Sequence, residues 1–148
     1  MKHSMWFQLG IMTVIGFIAM YLLMYTMIDR WADFYPSISM AYMAGSMTAA
    51  MVVIELIVMS GMYKPVMTRN IVIGVSVILL IATVAFTRYQ IGIYDKDFLR
   101  SMIPHHSGAV LMCSNPRLED PEIKSLCSQI IEGQLREIDQ MKAILERK

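Results

Sequence analysis

Three long apolar runs dominate the first part of the chain. Trp6 to Ile28 carries no charge, and Ser37 to Tyr63 is interrupted by a single one, Glu55. Ile71 to Thr87 is charge-free and rich in Ile and Val. A helix that crosses a bilayer needs about 20 apolar residues, with a lower limit near 17. The pattern therefore predicts three transmembrane helices. The polar connectors "DRWADFYP" and "KPVMTRN" separate them, and Pro36 suits the first turn of a helix. The first run is too long for the core of a cleaved signal peptide, and no A-x-A-like site follows it. It reads as an uncleaved anchor.

From Gln90 to Lys148 the pattern changes to two amphipathic helices. "YDKDF" supplies N-cap candidates and acidic residues for a first turn, although the third membrane helix could also continue straight through, bending near Gly92. Pro104 removes a backbone donor and predicts a kink ahead of the two histidines. "SNPRLEDPEI" is a turn, with Asp120 as cap, Pro121 at the first helical position and Glu122 in the first turn. The last helix is expected from Pro121 to about Arg147, with Ile123, Cys127, Ile130, Gln134, Ile138, Met141 and Leu145 as its apolar stripe. The expected fold is all-α: a three-helix transmembrane region over residues 1–89, then a helical hairpin over 90–148.

Lysine and arginine counts in the flanks set the orientation. Lys2, Lys64 and Arg69 stand without acidic neighbours on one side. Asp29, Arg30 and Asp33, then Arg88, Asp95, Lys96, Asp97 and Arg100, lie on the other. The N-terminus is expected to be cytoplasmic and the hairpin extracytoplasmic.

Composition agrees with a lipid bilayer as partner. The chain is 56% hydrophobic and 17% charged, where soluble domains average about 25% charged. A formal net charge of +1, with no basic arm, phosphate loop or RNA-binding signature, leaves no case for nucleic acid. No nucleophile–base pair or open hard-metal site is apparent, so no enzyme is expected. Methionine is the outlier, at 16 residues. It fills gaps in cores, and it is also a soft thioether ligand.

The chemistry concentrates in "FLRSMIPHHSGAVLMC", Phe98 to Cys113. On a helix, Met102, His105, His106, Ala109, Met112 and Cys113 fall within an arc of about 120°. Met102 lies three residues from His105 and four from His106, so it can share an ion with either. The two histidines diverge, and one helix does not easily aim both at one ion. Thioether and imidazole together favour Cu(I) or Ag(I). The metal candidates are Met102, His105, His106 and Met112. Folding the hairpin back brings Gln134 opposite Met102 to His106. Gln134, a polar residue within an apolar stripe, is the expected partner of a histidine nitrogen, with Glu137 and Met141 as weaker candidates. The alternative is a hydrogen-bonded histidine pair at a packing seam. Cys113 and Cys127 either form a disulfide, closing a loop of about 15 residues worth roughly 3 kcal/mol, or join the soft-metal site as thiols.

In the second apolar run, Met40, Met43, Met47, Met51, Met59 and Met62 share a stripe that Glu55 continues. One reading is a methionine-lined membrane path for a soft cation over Met40, Met43, Met47, Met51 and Glu55. The other is a packing interface beside an Ala41, Gly45, Ala49 ridge.

"DKDFLRSMIPHHSGAVLM" together with "LCSQIIEGQLREIDQM" resembles the domain-of-unknown-function 305 family, which includes CopM-like periplasmic copper-associated proteins. The residues that carry the resemblance are Asp95, Phe98, Met102, Ile103, His105, His106, Ala109 and Met112. In the second helix they are Ile130 or Ile131, Gln134, Glu137, Ile138 and Met141. It covers about residues 94–145 and leaves the membrane part outside. It implies a ferritin-like, metal-handling domain, with copper as Cu(I) or else silver bound through Met and His. It further implies the bacterial cytoplasmic (inner) membrane, with the hairpin in the periplasm. This chain departs from the family pattern in carrying three membrane helices and only one short hairpin. Two helices do not enclose a bundle core, so the hairpin is expected to pack on a second copy, as a homo-dimer, or on the ends of the membrane helices. The expected function is a membrane-anchored Cu(I) or Ag(I) binder that handles copper or confers resistance to it. The alternatives are a membrane interaction module without metal and a methionine-lined copper transporter.

Overall fold

The computed structural model describes residues 2–148, and side chains from Met5 onward. The Lys2 side chain, which bears on the orientation, lies outside the described residues. All regular structure among these residues is helical: α1 (Lys2–Leu23), α2 (Ile38–Val58), α3 (Val66–Tyr89), α4 (Asp95–Cys113) and α5 (Pro121–Arg147). Two short 3-10 turns, Met24–Met27 and Trp31–Asp33, lie between α1 and α2.

Three helices are long and apolar enough to cross a membrane, in line with the three apolar runs. At 1.5 Å per residue they measure about 31–36 Å, the thickness of the hydrocarbon core. Phe7, Val14, Ile18, Ile54, Leu79 and Ile81 are all more than half exposed on them. Such a surface is ordinary in lipid.

The chain divides into two compact units. The first holds α1, α2 and α3. Leu9, Val52, Leu56 and Tyr63 form its buried cluster, flanked by Met5, Trp6 and Met12. The Trp6 indole N–H donates to the Lys64 carbonyl at 3.2 Å, and its ring meets Tyr63 edge-on at 5.2 Å. Tyr42 donates to the Ile91 carbonyl at 3.0 Å and packs edge-on against Phe86. Beyond α3 the chain does not continue as helix. Gln90 and Gly92 both adopt positive φ, 52° and 74°, which ends α3 and frees α4 to start anew at Tyr94.

The second unit holds α4, α5 and the segment Met24–Ile38. The expected start of α5 is present. The Asp120 carboxylate caps it, accepting from the Glu122 and Ile123 amides at 2.8 and 3.1 Å, with Pro121 in the first turn. Helix α4 runs on through Pro104, which is buried. The connector after α1 supplies a third wall for the hairpin. Tyr25 is 3% exposed, packs on Phe34 at 4.5 Å and donates to the Tyr35 carbonyl. Leu99, Ile103 and Val110 of α4 and Ile138 of α5 complete the buried set. Gly108 is where α4 comes closest to the connector: a Cβ there would sit 3.3 Å from the Met27 carbonyl oxygen.

Candidate functional site

Helix α4 presents three sectors. One faces α5 and carries His106 and Cys113. A second faces the connector and carries Ser107 and Gly108. The third is open and carries Phe98, Met102, His105, Ala109 and Met112, within an arc of about 80° at 100° per residue. His105 is exposed, Met112 is 60% exposed and Phe98 is 50% exposed, while Met102 and Ala109 are half-buried.

His106 is held at both ring nitrogens. Its Nδ1 lies 2.9 Å from the Met102 carbonyl oxygen and its Nε2 2.9 Å from Glu137 Oε2. A protonated ring donates to both acceptors, whereas a neutral ring satisfies one. A metal-binding histidine commonly donates its second nitrogen to a backbone carbonyl, which fixes the ring and leaves the other nitrogen for the ion. The Nδ1 contact has that form, and Glu137 stands where Nε2 points. The His105 and His106 rings lie 5.9 Å apart at 64°.

Glu137 therefore occupies the place expected for Gln134. The hairpin register explains this. Cys113 pairs with Cys127, His106 with Glu137 and Asp95 with Lys148, which sets Glu137 level with the histidine. Gln134 lies almost one turn nearer the disulfide and is half-buried, as is Met141. The cysteines form a disulfide, with Cα atoms 5.0 Å apart, so neither is a thiol ligand in this state. Among the described residues, no three His, Cys, Asp or Glu side chains converge as a metal group.

The sequence reading missed a buried polar clamp beside the histidines. Asp33 is 3% exposed and Ser107 fully buried. The Ser107 hydroxyl donates to Asp33 Oδ2 at 2.7 Å and accepts the Asp29 amide N–H at 2.8 Å. Lys142 Nζ of α5 donates to Asp33 Oδ1 at 2.5 Å. The clamp ties the connector to both hairpin helices one residue beyond His106. Its only sequence signal is weak: a serine on an apolar helix face, and an acidic residue in a short connector that also carries exposed Trp31.

The methionines of α2 are spread over different surroundings. Met43 and Met47 are 43% and 42% exposed, on the outer surface, and Met40 is half-buried. The Met51 methyl group packs over Gly16 of α1. A cleft of about 370 Å³ among α1, α2 and α3 is lined by residues such as Thr13, Phe17, Thr48, Ser76 and Thr83. Of the Ala41, Gly45, Ala49 ridge, Ala49 is buried, and a Cβ on Gly45 would lie 3.3 Å from the Thr83 methyl group. Glu55 accepts a hydrogen bond from the Tyr63 hydroxyl.

No solved structure matches the chain. An uncharacterized protein of Acanthamoeba polyphaga mimivirus is 33% identical over 144 residues, covering 93% of this chain and 91% of the relative. That likeness takes in the three long apolar helices as well as the hairpin. The family model described as "Domain of unknown function (DUF305)" matches residues 84–146, the stretch that holds the histidines, the disulfide and Glu137. With its hairpin built on these residues, the chain belongs to the DUF305 family.

Proposed function

We propose that this protein is a membrane-anchored binder of a soft monovalent cation, Cu(I), with Ag(I) as its chemical analogue. Met102 and His105 on the open face of α4 are the leading ligands, with His106 and Met112 as further donors. Bound copper would be sequestered, sensed or passed on. The observation that carries this reading is the donor chemistry of α4. Two thioethers and an imidazole stand on one open face, next to a second imidazole already oriented through its Nδ1. Soft ions prefer such donors, and hard ions do not.

The same reading places the hairpin outside the cytoplasm. Three membrane crossings return the connector after α1 and the segment after α3 to one side, and these two segments build the second unit. The disulfide suits an oxidising compartment.

One observation favours a structural role for His106 in particular: both of its nitrogens already have partners. Anaerobic Cu(I) competition against a chromophoric chelator separates the two roles in detergent-purified protein. His105→Ala is expected to weaken Cu(I) binding at least about tenfold, or 1.4 kcal/mol, with an unchanged melting temperature. His106→Ala is expected to lower the melting temperature as well. Wild-type binding no tighter than about micromolar would refute the metal function and leave a packing role for both histidines.

A further inference from the structure

We infer that the soft-metal site is shared between two copies of the chain, each contributing Met102 and His105. This inference rests on the copper-binding function proposed above and gives it an assembly. Among the described residues, the open face of one α4 offers an incomplete donor set. Met102 and His105 are one turn apart on the open sector of α4 and can meet at one ion. His106 belongs to the α5-facing sector, with both ring nitrogens engaged. Met112 lies seven residues beyond His105, about 10 Å along the axis, too far for a bond of about 2.3 Å to the same ion. Both cysteines are committed to the disulfide. One chain thus presents two donors at one level.

The open sector has the form of a helix-pairing seam. Phe98, Met102, His105, Ala109 and Met112 are spaced four, three, four and three apart, the heptad spacing by which one helix packs along another. Among the described residues of the second unit, α5 and the connector pack on the other two sectors of α4 and leave this one uncovered. In a two-fold contact each residue meets the same patch of its mate. With the axis near His105, the two His105 imidazoles face one another and the two Met102 thioethers flank them. The small Ala109 beside them leaves room for close approach. The four donors are two imidazoles and two thioethers, a set suited to Cu(I). The outer positions Phe98 and Met112 would bury apolar surface that is now half exposed or more.

The test measures stoichiometry and mass together on the full-length protein in detergent. Cu(I) alone is titrated anaerobically, bound metal is quantified per chain, and protein mass is followed by light scattering with the detergent contribution subtracted. The expected result is one Cu(I) per two chains on a species of two chains. His105→Ala and Met102→Leu should each weaken this binding at least about tenfold and leave the melting curve unchanged. One Cu(I) per chain on a single-chain species would overturn the shared site while leaving the copper function intact. Undetectable Cu(I) binding would overturn both. A pair of chains whose Cu(I) survives in both variants would overturn the shared site and place the metal elsewhere.

Discussion

The Asp33 clamp allows a quantitative test of how the connector holds the histidine helix. Asp33 is buried as a carboxylate, with Ser107 at 2.7 Å and Lys142 at 2.5 Å as donors. Lys142 keeps 26% of its side-chain exposure, against 5% for Asp33. The two partners are therefore not equivalent. Lys142→Met leaves a buried anion with one hydroxyl for company, and removing one member of a buried pair costs about 3–5 kcal/mol. Asp33→Asn is milder. The amide oxygen still accepts from Ser107, no buried charge remains, and the Lys142 ammonium can turn to water. Its expected cost is about 1.5–3 kcal/mol, the net value of a hydrogen bond to a charged group. In the double variant, the neutral amide that replaces the carboxylate no longer needs a cation. The loss should then stay close to that of Asp33→Asn and well short of the sum. Thermal unfolding in detergent, followed by circular dichroism with the disulfide intact, reads these losses at about 2–4 °C per kcal/mol for a chain of this size. Equal losses for the two single variants, or strict additivity in the double, would refute the buried ion pair as the element that fixes the connector.

Two further variants probe the same unit. Gly108→Ala drives a Cβ toward the Met27 carbonyl oxygen, at 3.3 Å, and is expected to cost about 1–3 kcal/mol as overpacking; an unchanged melting temperature would show that the connector yields freely. Replacing Cys113 and Cys127 by Ser removes a cross-link over a sequence separation of 14 and should cost roughly 3 kcal/mol. A membrane-impermeant thiol reagent applied to intact cells after reduction should label the wild-type cysteines, and labelling only after the cells are opened would reverse the topology.

Much of this architecture is legible in local sequence. The three apolar runs, the cap of Asp120 with Pro121, and the amphipathic hairpin depend on residues a few positions apart, and hydrophobicity and backbone donors act at that range. The cysteine pair could be matched as well, because a single turn joins its helices. Even there the ranking of partners changed: Glu137, the weaker candidate beside Gln134, is the residue that reaches His106. Long carboxylate side chains reach inward from the edge of an apolar stripe, so a position on the helical wheel named the contact without ranking it.

What the tertiary structure decided lies at long range. Ser107 meets Asp33 across 74 positions and Lys142 meets it across 109. No periodicity links such residues, and before folding each reads as an ordinary polar side chain. The first apolar run also ends earlier as helix than its hydrophobicity suggests. Leu23 closes α1, and Met24–Met27 tightens into a turn in the hairpin's unit, where Tyr25 is buried. Hydrophobic pattern records that a residue prefers to leave water, but not which surface receives it. The sequence by itself therefore determined the helices, the three runs long and apolar enough to cross a membrane, and the methionine and histidine spacing of α4. Only the tertiary structure decided which face of α4 stays open, because that depends on where a distant connector finds its buried charge partner.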